Sequence, residues 1–104
     1  MYINILKNNT SYRILASDIK YVKILCENIV IKTKNKIYKV RCDSTNLIKK
    51  LKIYGFVNSS ENCIINLKYV KYINKLYIHF IDGDAILLTY DKYKEIIKII
   101  KHKD

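Results

Sequence analysis

Proline is absent from this chain of 104 residues, and glycine occurs only twice. Together these absences remove the usual composition of a flexible linker, and no internal repeat or low-complexity block is present. Length and composition predict one domain over residues 1–104, with no room for a core plus a separate phosphoacceptor module. Cysteine is sparse as well. Cys26, Cys42 and Cys63 are odd in number and widely spaced, with no C-x-x-C pair and no neighbouring histidine. Neither a zinc set nor a disulfide framework is indicated, and the three read as free thiols in a reducing compartment. No apolar run reaches bilayer length, and the first residues lack the uninterrupted apolar core of a signal peptide. A soluble, cytoplasmic protein is the expectation.

Catalytic apparatus is missing too. His79 and His102 lie far apart in sequence, no serine sits in a nucleophile elbow, and no glycine-rich loop can cradle a phosphate. Asp82 and Asp84 flank Gly83 and read as turn formers, not as a catalytic pair. The expectation is a protein that is not an enzyme, with no cofactor, no metal and no small-molecule substrate.

Acidic residues are few: 9 Asp plus Glu stand against 20 Lys plus Arg, leaving a net charge of +11. A field of that sign concentrates phosphate polyanions or anionic lipid at the surface. Lys, Ile, Asn and Tyr dominate the chain, as A+T-rich codons would dictate, so a merely solvated basic surface stands as the other reading. Half of the residues are hydrophobic and 28% are charged, which argues for a folded globule and against a disordered basic tail.

The apolar residues recur with period two over most of the chain. Tyr2 to Leu6 and Tyr12 to Leu15 flank Asn8-Asn9-Thr10 as a hairpin, and Ser17-Asp18 turns the chain. Ile19 to Leu25 and Asn28 to Thr33 pair around Cys26-Glu27, and Lys36 to Arg41 follows as a further strand. Asp43-Ser44 then caps a short amphipathic helix carrying Leu47, Ile48 and Leu51, with Lys49, Lys50 and Lys52 outward and Gly55 as its C-cap. After Phe56 come a polar loop and a short apolar strand ending in Asn66-Leu67. Lys75 to Phe80 and Ala85 to Thr89 form a hairpin around Asp82-Gly83-Asp84, with Leu76, Ile78 and Phe80 on one face. Tyr93, Ile96, Ile97 and Ile100 recur at helical spacing in a closing helix over Asp91 to Lys103.

The order of these elements, with the segment F-x7-I-I-N-L from Phe56 to Leu67, resembles the LytTR family of bacterial DNA-binding domains. The matching pieces are Asp18 to Val22, Phe56, Ile64-Ile65-Asn66-Leu67, Val70, Ile73 and Gly83. The resemblance covers nearly the whole chain. It implies a mostly β fold with α: short antiparallel sheets stacked in an elongated arrangement, one short internal helix and a C-terminal helix. It also implies duplex DNA as partner, held by loops and strand ends, in the manner of response-regulator output domains. Where the family has His, then Arg or Asn, then Ser, this chain has Ser60-Glu61-Asn62. Tyr90 replaces an arginine, and Lys23 replaces a carboxylate.

The candidate DNA-binding residues are therefore Asn28, Asn58, Ser60, Glu61, Asn62, Tyr90, Lys92 and Lys94. Asn28, Asn58 and Asn62 can each pair bidentately with an adenine edge, and a glutamate can accept from cytosine N4. Tyr90 either stacks on sugar or base or leans on the closing helix. Lys92 and Lys94 contact phosphate near a helix N-terminus or belong to a solvated face. Asn66 reads as a structural asparagine of the adjoining turn. Only Arg13 and Arg41 are arginines, so bidentate guanine recognition is scarce and A+T-rich sites are the expectation. Two functions follow: a DNA-binding transcriptional regulator, acting as tandem monomers or a dimer on its site, or an interaction module that pairs with a partner regulator or a membrane-bound inhibitor. Control by phosphorylation would need a partner chain, unless the sequence is a piece of a longer regulator.

Overall fold

The computed structural model describes residues 1–41 and 44–103. Cys42, the Asp43–Ser44 cap and the His102 side chain, all invoked above, lie outside the described residues. The chain opens with a hairpin of β1 (Tyr2–Lys7) and β2 (Thr10–Leu15). Its register closes on Lys7 opposite Thr10, leaving Asn8 and Asn9 as the turn with φ of 51° and 61°. Two successive left-handed residues make a hairpin turn that matches strand twist, and asparagine tolerates that conformation better than most side chains. A 3-10 turn at Ala16–Asp18 leads into β3 (Ile19–Leu25), β4 (Asn28–Thr33) and β5 (Ile37–Arg41).

Helix α1 (Ser44–Ile53) buries Leu47 and Leu51 and leaves Lys49, Lys50 and Lys52 exposed. Gly55, at φ 105°, ends it. Its N–H donates to Lys52 O at 3.1 Å while the Phe56 N–H donates to Leu51 O at 3.0 Å. This is the two-bond Schellman stop, and it brings Phe56 onto Leu51 in the core as that motif does.

Next come β6 (Val57–Ser60), β7 (Cys63–Ile65), a 3-10 turn at Leu67–Tyr69, β8 (Val70–Ile73), β9 (Tyr77–Phe80), β10 (Ala85–Leu87) and α2 (Tyr90–Lys103). Three expectations change here. The polar stretch after Phe56 is strand β6 and not a loop, because it pairs with β7 and the buried Ser59 hydroxyl finds Cys63 O at 3.5 Å. Strand β8 was not anticipated. The last hairpin is shorter than its pattern suggested, since Asn74 Oδ1 accepts from the Leu76 and Tyr77 amides at 2.9 and 2.8 Å and turns that segment before β9 begins. Leu76 is consequently exposed and does not join Ile78 and Phe80 inside.

The described strands form three antiparallel sheets: β1-β2, β5-β4-β3-β7-β6, and β10-β9-β8. Strand alternation gives the middle sheet two apolar faces. Val22, Ile29, Ile31, Val40 and Ile64 pack under the first hairpin and α1, against Ile3, Ile14 and Leu51. Cys63 and Ile65 point the other way, into a second core with Ile78, Phe80, Ile86, Leu88 and Ile96. The layers stack to 42 × 25 × 24 Å, the elongated arrangement of short sheets expected above.

Lys20 fastens the third sheet to the middle one. Only 2% exposed, its Nζ bonds Asp82 and lies 2.5 Å from Asp84 Oδ2, while Lys32 Nζ lies 3.5 Å from the same Asp84 oxygen. Asp82 and Asp84 do form the turn, with Asp82 Oδ1 accepting from the Asp84 amide at 3.2 Å and Gly83 at φ 98°. They are also the counter-charges of a buried ammonium.

Candidate nucleic-acid interface

One end of the middle sheet gathers turns from separate parts of the chain. The β6–β7 turn, Ser60 to Cys63, is tied to β3 by the Ile24 N–H donating to Asn62 O at 2.8 Å. Thr89, just past β10, is tied to β6 beside this turn by its N–H donating to Ser59 O at 3.3 Å. Thr89 O then accepts from Tyr93 N at 2.9 Å as the first helical bond, so α2 starts beside the turn, its first amides without intrahelical partners. Ser60, Glu61, Asn62, Thr89, Asp91 and Lys92 line the resulting cleft, about 340 Å³ in volume.

The expected residues divide accordingly. Ser60, Glu61, Asn62 and Lys92 share this cleft. Tyr90 and Lys94 stand on the first turn of α2, where Lys94 Nζ lies 4.8 Å from the centre of the exposed Tyr90 ring. That geometry is a cation–π contact, and it leaves the ring standing clear of the core. Asn58 is half-buried and its amide donates to Ser60 O at 3.1 Å, so it shapes the turn from behind. Asn28 belongs to the same sheet end but lines a different depression, beside Leu25 and Arg41. Thr89 and Asp91 were not singled out from the sequence. A threonine placed before the closing helix was the available signal, since such residues favour helix starts.

The charge in the cleft is mixed. Glu61 and Asp91 face one lysine, Lys92, whose Nζ also lies 3.3 Å from Glu95. Asp91 suits the positive end of the α2 dipole. Further along α2, Lys94 and Lys98 are exposed but do not line the cleft. Cys63 lies beneath, its thiol pushed above the ordinary value by burial, against smaller downward pulls from the Ser59 hydroxyl and Lys23. A protonated, buried thiol is neither nucleophile nor metal ligand. Among the described residues Cys26 and Cys63 are free, and no group of His, Cys, Asp and Glu is placed to hold a metal ion. No described helix is long and apolar enough to cross a membrane.

Stacked short antiparallel sheets that gather turns and a helix N-terminus at one end define a small, basic, mostly β domain. The sequence profile of the LytTr DNA-binding domain matches residues 9–101, and the chain belongs to that family. Its fold is similar to that of a solved LytTr DNA-binding domain, from a protein described as a methyl-accepting/DNA response regulator of Bacillus cereus. The TM-score is 0.79 over 95% of each chain, at 10% sequence identity. Among curated proteins no sequence matches.

Proposed function

We propose that this chain is a DNA-binding transcriptional regulator, a stand-alone LytTR-type domain or the output domain of a response regulator. It acts in the cytoplasm on A+T-rich duplex DNA through loops and strand ends. The observation that carries this reading is the cleft itself, which joins the Ser60–Asn62 turn to the N-terminus of α2. Turns of this kind place short polar side chains in a groove while lysines on the rim neutralise phosphates. Asn62 reads adenine, and Tyr90 lies against sugar or base. Most of the affinity is electrostatic and without sequence preference. Mobility-shift titration against promoter fragments of its own operon, repeated at rising salt, tests the proposal. Binding should weaken steeply with ionic strength, and site selection should return A+T-rich sequences; indifference to every duplex removes the reading.

Glu61 and Asp91 in the cleft favour one other function. Two carboxylates repel a phosphate rail but suit a basic protein segment, as in an interaction module that pairs with a partner regulator or a membrane-bound inhibitor. Neutralising Glu61 separates the two: Glu61→Gln should strengthen duplex binding under the first reading and weaken partner capture under the second.

A further inference from the structure

On one face of the middle sheet, the third sheet and α2 cover β3, β7 and β6 but leave the far half open. Strand alternation puts Lys39 and Arg41 on that open face of β5, opposite Tyr38 and Val40, which pack into the first core. Both cations are exposed. The tip of the β1–β2 hairpin brings Lys7 and Asn8 alongside, around a depression of about 580 Å³ that also includes Leu25 and Asn28. Its lining carries three cations and no carboxylate. At its margin Glu27 pairs with Arg41.

Strand register sets the distance from this depression to the cleft. Arg41 stands opposite Asn28, Asn28 opposite Leu25, the neighbouring Ile24 bonds Asn62, and Ser60 stands opposite Cys63. Both features therefore occupy the same end of the sheet, four strand spacings apart, or about 19 Å at ~4.8 Å each. A B-form duplex repeats every ~34 Å. A cleft seated in one groove leaves the Lys7–Arg41 depression about half a turn along, over the sugar–phosphate rails that border the next groove.

We infer that Lys7, Lys39 and Arg41 form a phosphate grip, a second contact for the duplex on the side away from α2. The inference rests on the DNA-binding reading and adds to it the residues that fix the domain's register on the backbone. The apolar side chain of Leu25 lies against deoxyribose, and Asn28 reaches the groove edge beside it. Glu27 acts as a brake: it holds the Arg41 guanidinium until a phosphate replaces it.

The test compares wild type with Lys7→Ala/Lys39→Ala/Arg41→Ala on one selected duplex across a salt series, with hydroxyl-radical footprinting. The log–log salt slope should become shallower by about 2.7, at ~0.9 per phosphate. Protection should disappear over about five base pairs on one flank only, at ~3.4 Å per pair. All three side chains are exposed, and circular dichroism checks the fold; Lys39→Ala alone, with a slope change of about 0.9, serves if the triple variant is unstable. Glu27→Gln should tighten binding to all sequences several-fold. An unchanged slope and footprint overturn the grip while leaving the DNA-binding reading intact. Wild-type protein that ignores every duplex removes both.

Discussion

Asn66 joins three segments through one residue. Its Nδ2 donates to Ile19 O at 3.0 Å, its Oδ1 accepts from Lys68 N at 3.1 Å, and its own amide donates to Lys20 O at 2.9 Å. The side chain is buried, so truncation strands a carbonyl and an amide that water reaches poorly. Asn66→Ala should lower the unfolding free energy by about 1–3 kcal/mol in urea titration, without altering sequence preference in the folded protein. Asn62 differs only in its surroundings: it is exposed on the turn, and its side chain has no protein partner among the described residues. Asn62→Ala should leave stability unchanged and reduce the preference for selected over random duplex, by about 1–3 kcal/mol if it pairs bidentately with adenine. Competition binding measures that ratio, and an unaltered ratio removes Asn62 from base readout. Two asparagines four residues apart thus take opposite roles, and burial is what separates them.

Elements are held by their stops and by one buried charge. A Cβ at Gly55 would meet nothing within 4 Å, yet the φ of 105° disfavours any L side chain. Gly55→Ala should therefore cost about 1–2 kcal/mol through backbone strain alone, read from the denaturation midpoint of the variant. Docking of the third sheet depends on Lys20. Burial pulls its pKa down, but the hydrogen bonds and charges of Asp82 and Asp84 more than offset this and hold it above the ordinary 10.5. The Lys20 hydrogen bonds hold both carboxyls below the ordinary 3.8, with burial opposing. The cluster therefore stabilises the fold fully between those two ordinary values. Its contribution fades as acid takes the pH down through the lowered carboxyl values, and again as base takes it up through the raised ammonium value.

Removing one side of such a cluster is not equivalent to removing the other. Asp82→Asn/Asp84→Asn leaves an ammonium buried without counter-charge and should cost about 3 kcal/mol or more. Lys20→Met exchanges the buried charge for an apolar chain, while the half-exposed carboxylates rehydrate, and should cost far less. Both substitutions should flatten the acid limb of stability below about pH 4. Equal losses for the two variants would contradict this account. The Asp82-Gly83-Asp84 turn was legible in the sequence from its glycine; the buried lysine it serves was not, because that partner lies more than sixty positions earlier.

At the scale of the whole molecule, net charge and shape act together. A charge of +11 spread over a body 42 Å long gives an attraction that any duplex feels. Lys92→Ala/Lys94→Ala should weaken selected and random duplexes alike and make the salt slope shallower by up to about 1.8, as two phosphate contacts are lost. A loss confined to the selected sequence would instead make these lysines readers of base identity. The cleft was partly visible in advance, since Ser60, Glu61, Asn62, Tyr90, Lys92 and Lys94 all fall on the two segments that meet. Asn58 and Asn28 show where that reading stopped. A polar residue near a turn looks the same in sequence whether it points outward, bonds its own turn, or lies across the sheet.

By itself the sequence determined most of the strands, both helices and the stop of α1, because each rests on local chemistry: alternation of apolar residues, two asparagines in a tight turn, a glycine at the end of α1. It also determined the family, through the segment from Phe56 to Leu67. Only the tertiary structure decided that β6 is a strand, that Lys20 is a buried ammonium, and that cleft and cationic depression share one end of a sheet. Those facts depend on which distant strands pair and in what register, and pairing is settled by the whole set of buried side chains at once.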